Sequence, residues 1–233
     1  MKRQRGFQAD RLRRLLQGGL RRPVSAAGMA PHIEVASPAR HHQHHHSEPA
    51  RGDGRTRLVA TLERWARLNA TLPEELIRRG LVTMHIDREA LGEAVHFDER
   101  GYQRTRIFQC EHFEALVLSW RSGQGSPIHD HGDSTCGLLV VQGNATETLF
   151  EKSRSGRLAP LRSVVVPEGA VGVSRGKDIH LVANLQPPGT DLVSLHVYSP
   201  PLLASRCYRL AETIFGDHDE ILDQRSSMRM ISL

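Results

Sequence analysis

Between Tyr102 and Tyr198 the chain is cut into eight short apolar or alternating runs, and nothing else in it limits the fold so tightly. The runs are Tyr102–Phe108, Phe113–Trp120, Gly137–Gln142, Ala145–Glu151, Ser163–Val166, Ala170–Val173, His180–Asn184 and Leu192–Tyr198. Gly143-Asn144, Pro167-Glu168-Gly169 and Pro187-Pro188-Gly189 punctuate them. Short alternating runs bounded by turn residues read as strands, and many of them at even spacing fold as an all-β sandwich or barrel. Ahead of them the rhythm is helical. Leu58, Leu62, Trp65 and Leu68 recur at three to four residues, a spacing that turns them to a core. Thr71 is placed to cap a second helix, with Pro73 early and Glu74 and Glu75 in the first turn. That helix is expected to stop at Gly80, with Arg78 and Arg79 in its last turn. Asp87 can cap a third through Ala94. Helices first and strands after exclude a βαβ alternation. The fold class expected is mainly β, a jelly-roll β-barrel preceded by a short α-helical segment and a disordered N-terminal tail.

The 233 residues suffice for one full core with appendages. We divide them into a basic, His-rich tail over 1–56, a helical segment over 57–100 and a barrel over 101–233, with 57–233 as one domain. The formal net charge of +5 belongs to the tail. Residues 1–56 carry 11 Lys and Arg against 4 Asp and Glu, and the remainder carries 20 against 22. The tail has no aromatic-interleaved basic pattern, so no nucleic-acid partner is expected. Few large apolar residues follow Leu20, which predicts disorder there. The run His41-His42-Gln43-His44-His45-His46 reads as a polar linker that would bind metal adventitiously. Phe7, Leu12, Leu15, Leu16 and Leu20 among arginines form either a frayed basic start, with Met29 as an alternative first residue, or an organellar transit peptide. Cys110, Cys136 and Cys207 contain no CxxC pair and predict no disulfide framework. A cytoplasmic monomer with no membrane span is expected.

Chemistry gathers at Ser126-Pro127-Ile128-His129-Asp130-His131-Gly132-Asp133-Ser134-Thr135-Cys136. On a strand, alternation would put His129 and His131 on one face and Asp130 on the other. Two imidazoles on one face are half of a metal site. From His131, four residues lead to Cys136 and six more to Gly143. This spacing resembles the first cupin motif, with Cys136 where a Glu normally stands. His180 and Asn184 resemble the end of the second cupin motif. Ser126–Phe150 and Ser194-Leu195-His196-Val197-Tyr198-Ser199-Pro200-Pro201 are similar to the cysteine dioxygenase type I family, thiol dioxygenases of the cupin fold. The similarity runs from about Tyr102 to Cys207.

The resemblance implies a ligand set of His129, His131 and His180 for ferrous iron, Fe(2+). Three neutral imidazoles would leave room for a thiolate, an amine and O2 on a cation that favours the thiolate. Arg104, with Tyr102 beside it, would hold a substrate carboxylate by its guanidinium fork. Arg106 and Gln103 leave the register open, and relatives that prefer 3-mercaptopropionate carry Gln in place of this Arg. Ser194, His196 and Tyr198 alternate onto one face and would form a relay that positions the Tyr198 hydroxyl over the metal. Cys136 matches the position that forms a thioether bond with that tyrosine. Ser199-Pro200 is a candidate cis peptide. Trp120 packs as core, and Cys110 and Cys207 have no assigned role.

The expected function is iron(II)-dependent oxidation of L-cysteine by O2 to cysteine sulfinic acid, a step of cysteine catabolism whose partners are a small-molecule thiol and O2. The alternatives are a 3-mercaptopropionate dioxygenase of the same fold and a non-catalytic metal-binding cupin sensor. A Ser-His hydrolase is disfavoured because no G-x-S-x-G elbow is present.

Overall fold

The computed structural model describes residues 53–154, 156–203, 205–210, 220–222 and 228–230. Helix α1 spans Asp53–Ala66, α2 Glu74–Met84 and α3 Arg88–Leu91, followed by a 3-10 turn at Gly92–Ala94. Among the described residues twelve strands follow: β1 Gln103–Gln109, β2 Glu114–Trp120, β3 Ile128–His129, β4 Thr135–Gln142, β5 Ala145–Lys152 and β6 Leu158–Val166. The rest are β7 Val171–Ser174, β8 Ile179–Ala183, β9 Leu192–Ser199, β10 Ser205–Tyr208, β11 Glu220–Leu222 and β12 Met228–Met230. They form two six-stranded sheets, ordered β12-β1-β2-β9-β4-β7 and β11-β10-β3-β8-β5-β6. Apart from the parallel pair β1–β12, neighbours within the sheets run antiparallel. The chain is mainly β, a double-sheet cupin barrel with helices ahead of it.

One face of the first sheet lies under the helices and the other lines the barrel. Ala115, Val117, Leu139, Val141, Val193, Leu195 and Val197 share a core with Leu58, Leu62, Trp65, Ile77 and Leu81. Leu116, Leu118, Cys136, Val140 and Tyr198 belong to a second cluster inside the barrel. Burial on both faces explains why β2 and β9 are buried throughout and read as continuous runs.

Helix α2 differs from the sequence expectation at both ends. It begins after Pro73 with no side-chain cap, so Thr71 does not cap it. It runs through Gly80 to Met84 and ends at His85 in the left-handed conformation. Gly80 serves packing instead: a Cβ there would lie 2.1 Å from Trp65 Cζ2. Arg78 and Arg79 pair back to Glu74 at 3.0 Å and Glu75 at 2.6 Å rather than capping an end. Gly137 on β4 lets the same helix approach, since a Cβ there would lie 2.3 Å from Ile77 Cγ2.

Leu58, Leu62 and Trp65 are buried as expected, but Leu68 is 52% exposed because α1 has already ended at Ala66. Asp87 does cap α3, its Oδ1 accepting from Ala90 N at 2.8 Å. All eight expected strands are present. β6 starts five residues earlier than its pattern shows, because as the outer strand of its sheet it is largely exposed and its alternation is weak. Strands β3, β10, β11 and β12 are two to four residues long and too short to carry a periodic signal. Helix α1 begins at Asp53, four residues inside the segment assigned to the tail. The other N-terminal expectations, including disorder, the His run and the transit peptide, lie outside the described residues.

Candidate metal centre

The sheet carrying β3, β5 and β8 supplies the histidines. His129 on β3 is paired with His180 on β8. His131 is not on the same strand: β3 stops at His129, and His131 sits in the turn that follows. The turn reverses at Gly132, with φ 59°, and His131 N donates to Gly176 O at 2.8 Å. Asp130 points away from the histidines, as alternation predicts, and accepts the Tyr208 hydroxyl at 2.6 Å from β10.

One nitrogen from each of His129, His131 and His180 lies within 4.8 Å of the other two. His131 Nε2 and His180 Nε2 are 3.1 Å apart. Two imidazoles bound at right angles to one ion through bonds of about 2.1 Å would stand about 3 Å apart, so the spacing fits a shared metal. The remaining nitrogens are partly fixed. His129 Nδ1 donates to Pro127 O at 2.9 Å, and His180 Nδ1 lies 2.5 Å from Glu147 Oε1. A ring whose Nδ1 carries the donated proton presents Nε2 as a lone pair. His131 Nδ1 is buried without a partner among the described residues. Burial, followed by the electrostatic influence of the neighbouring rings, lowers His129 to about 3 and His131 well below its usual value. Neutral rings are the form a metal requires.

The first sheet supplies the other half. Its register stacks side chains in rows across β4, β9, β2 and β1. Cys136 lies opposite Tyr198, which lies opposite Glu114. Leu138, His196, Leu116 and Arg106 form the next row, and Val140, Ser194, Leu118 and Arg104 the one after. Opposite residues in an antiparallel pair point to the same face, so all of these line the interior.

Ser194 Oγ is 3.0 Å from His196 Nε2, and His196 Nδ1 is 3.3 Å from the Tyr198 hydroxyl. Trp120 Nε1 donates to Ser194 Oγ at 3.2 Å, so Trp120 anchors this chain as well as packing. Tyr102 stacks on Trp120 with ring centroids 4.2 Å apart. Tyr198 packs edge-on to His131 at 5.3 Å, bringing the two sheets' residues together. Cys136 Sγ is 3.9 Å from His196 Nδ1. Burial pushes the Cys136 thiol up to about 12 and the Tyr198 phenol well above its usual value, with Cys136 adding to the latter. Burial, then the Arg104 charge, lowers His196 to about 3.

Arg104 is 8% exposed, and its Nε and Nη2 are buried without partners. Its positive charge bears on His129, His131, His196, Cys136 and Tyr198. Arg106 shares its face but is paired with Glu114 Oε2 at 3.3 Å. Gln103 turns its amide to the carbonyls of Gly101 and Tyr102, at 2.9 and 3.4 Å. Arg106 keeps a buried Nε without a partner among the described residues, and Arg104 keeps two such nitrogens, Nε and Nη2.

Asn184 is structural, its amide donating to Trp120 O at 3.1 Å and Thr190 O at 2.8 Å. Ser199-Pro200 is cis. Ser199 Oγ donates to His112 O at 2.7 Å and accepts from Leu72 N at 2.8 Å, tying β9 to the approach to α2. Sequence reasoning missed Glu147, Glu114 and Tyr208. A signal existed for Glu147: in β5 it falls between Ala145 and Leu149 on the apolar phase of the alternation, where a carboxylate needs a partner.

The family model described as cysteine dioxygenase type I matches residues 80–211, more than half of the chain. A zebrafish protein, "Cysteine dioxygenase type 1", is 35% identical over 117 residues, 48% of this chain and 58% of its own length. The human protein of the same name is 35% identical over 109 residues, 45% of this chain and 54% of its own length. The chain therefore spans little more than half the length of these relatives. An RmlC-like cupin protein from Desulfovibrio desulfuricans is 26% identical, with a TM-score of 0.36, over 50% of this chain and 99% of that one.

Proposed function

Since the chain belongs to the cysteine dioxygenase type I family, we propose that it is an iron(II)-dependent thiol dioxygenase acting on L-cysteine. The product is cysteine sulfinic acid, with both atoms of O2 on sulfur and the thiol supplying the electrons. The observation that carries the reading is the buried Arg104, two of whose guanidinium nitrogens have no partner among the described residues, in the same interior as the three-histidine cluster. A desolvated cation without a counter-ion is costly, and a bound carboxylate removes that cost.

His129, His131 and His180 would hold the ion through their Nε2 atoms. Ferrous iron held there would supply deprotonation of the thiol and activation of O2. Arg104 would fix the substrate carboxylate bidentately and so set the distance between its sulfur and the histidines. The Tyr198 hydroxyl, kept protonated by burial, donates a hydrogen bond toward the reacting atoms. His196 stays neutral, its Nε2 accepting from the Ser194 hydroxyl and its Nδ1–H donating to the Tyr198 oxygen, so the phenol's own proton is left for that bond and keeps one direction. Tyr102 and Trp120 form an apolar wall that limits water. The Cys136 thiol faces Tyr198 across β4 and β9, where a thioether would lock the phenol in place.

The test is product analysis with L-cysteine, 3-mercaptopropionate and cysteamine in the presence of ferrous iron, with O2 uptake followed in parallel. Sulfinic acid formed preferentially from L-cysteine is expected. A strong preference for 3-mercaptopropionate would overturn the substrate, and binding without turnover of any thiol would favour a sensor.

A further inference from the structure

We infer that Glu147 is a positioning residue of the metal centre, holding His180 in the one tautomer and ring orientation that aims Nε2 at His129 and His131. This rests on the metal-centre reading above and deepens it. Glu147 stands opposite Val182, and Leu149 opposite His180, across the antiparallel pair β5–β8. Glu147 and His180 are therefore diagonal neighbours on one face. The carboxylate is 4% exposed and its Oε1 lies 2.5 Å from His180 Nδ1, the nitrogen on the far side of the ring from the cluster. It is thus excluded from the ligand set by position, while it fixes which nitrogen can join it.

The three rings are not held alike. His129 has a neutral carbonyl at Nδ1, His131 has no partner there, and His180 has a carboxylate. A charged acceptor makes the imidazole a stronger donor to a cation and restrains its rotation about χ2. The consequence for the whole site is a change of charge. Its inner ligands are neutral, yet one negative charge stands a single imidazole away. The carboxylate that cupins place on the metal, absent at Cys136, is here moved one shell outward and to a different strand. Thiolate binding still meets an all-nitrogen face, and His180 is held more firmly than the other two ligands.

The experiment uses the full-length chain with His41, His42, His44, His45 and His46 replaced by Ser in every variant, metal-free, titrated with Co(II) against a competing chelator, with the visible d–d bands recorded. Wild type, E147Q, E147L and H180A are compared, and thermal unfolding of each metal-free protein controls for folding. The tight site should weaken about 10–100-fold in E147L and about tenfold in E147Q, with shifted d–d bands and unchanged metal-free secondary structure. Binding within twofold of wild type and an unchanged spectrum in either variant would overturn the inference. If E147L does not fold, E147Q decides alone by the same limits. Equal binding by wild type and H180A would instead overturn the metal-centre reading itself, so the two failures are distinguishable.

Discussion

Replacing Arg104 with methionine should have two opposite effects. The guanidinium is 8% exposed, and two of its nitrogens have no partner. Exchanging a poorly compensated buried ion for an apolar side chain of similar length stabilises a protein by about 1–4 kcal/mol. Urea denaturation of the protein without thiol or metal should therefore show R104M to be the more stable by that amount. With L-cysteine the sign reverses. Two charge-assisted hydrogen bonds to the carboxylate are lost, each at about 1.5 kcal/mol or more. The sum of about 3 kcal/mol corresponds to roughly a hundredfold fall in kcat/KM. Cysteamine lacks the carboxylate and is the internal control: its kcat/KM should move by no more than a few-fold. The assays are O2 uptake with both thiols and urea midpoints of both proteins. A less stable R104M, or an equal loss with cysteine and cysteamine, would refute the argument and make Arg104 a packing residue.

Four further outcomes are expected. In protein whose His41, His42, His44, His45 and His46 are replaced by Ser, His180→Ala should abolish chelator-resistant iron and turnover; full retained iron would mean a different third ligand. Cys136→Ser should slow turnover without abolishing it, and should prevent the two-hydrogen mass loss expected of wild type after turnover with O2; wild type showing no such loss argues against the thioether. Gly137→Ala should cost about 1–3 kcal/mol in urea, because a Cβ at 2.3 Å from Ile77 Cγ2 forces α2 outward; combining it with Ile77→Ala should recover most of that cost, and simple additivity would contradict the clash. Metal-free stability should fall with acid through His196, which burial depresses from 6.5 to about 3. Its contribution is complete above about pH 6.5 and is lost toward pH 3, because the unfolded chain takes up the proton first, at up to about 1.4 kcal/mol per pH unit. His129 and His131 add slopes of the same sign, so His196→Gln should reduce the slope by His196's share without removing it, and an unchanged slope would show that His196 is not held neutral.

The fold was legible where side chains report their own burial. The eight strand runs and the alternation of Ser194, His196 and Tyr198 are such cases, since the pleat writes itself into the sequence. Gly80 was misread because a glycine that ends a helix and one that admits a tryptophan look alike in one dimension; only the approach of Trp65 separates them. Thr71 was misread as a cap for a similar reason, its neighbour Pro73 having taken the position. At the site, the placement of His131 came out differently in detail, because it reaches the cluster through a turn held by Gly176 rather than by strand alternation. The side chains of Gln103 and Arg106 are engaged by near neighbours, Gly101 and Tyr102 for Gln103 and Glu114 on the next strand for Arg106, which alternation alone does not report. For Glu147 the local pattern shows only a carboxylate on the apolar phase of β5; its partner His180 comes from the pairing of β5 with β8.

The rows across β4, β9, β2 and β1 have a consequence for how this site can change. Cys136, Tyr198 and Glu114 share one row, and Ser194 shares another with Arg104. A one-residue insertion before Ser194 that slipped β9 against its neighbours would turn Leu195 and Val197 into the barrel, and His196 and Tyr198 toward Trp65 and Ile77. Every polar group of the relay would be lost in one event, together with the apolar contacts under the helices. Length is therefore frozen in these strands, while the identity of a side chain within a row is free to vary. Change at this site therefore comes by replacing residues in place within a row, and insertions are taken in the turns outside the rows.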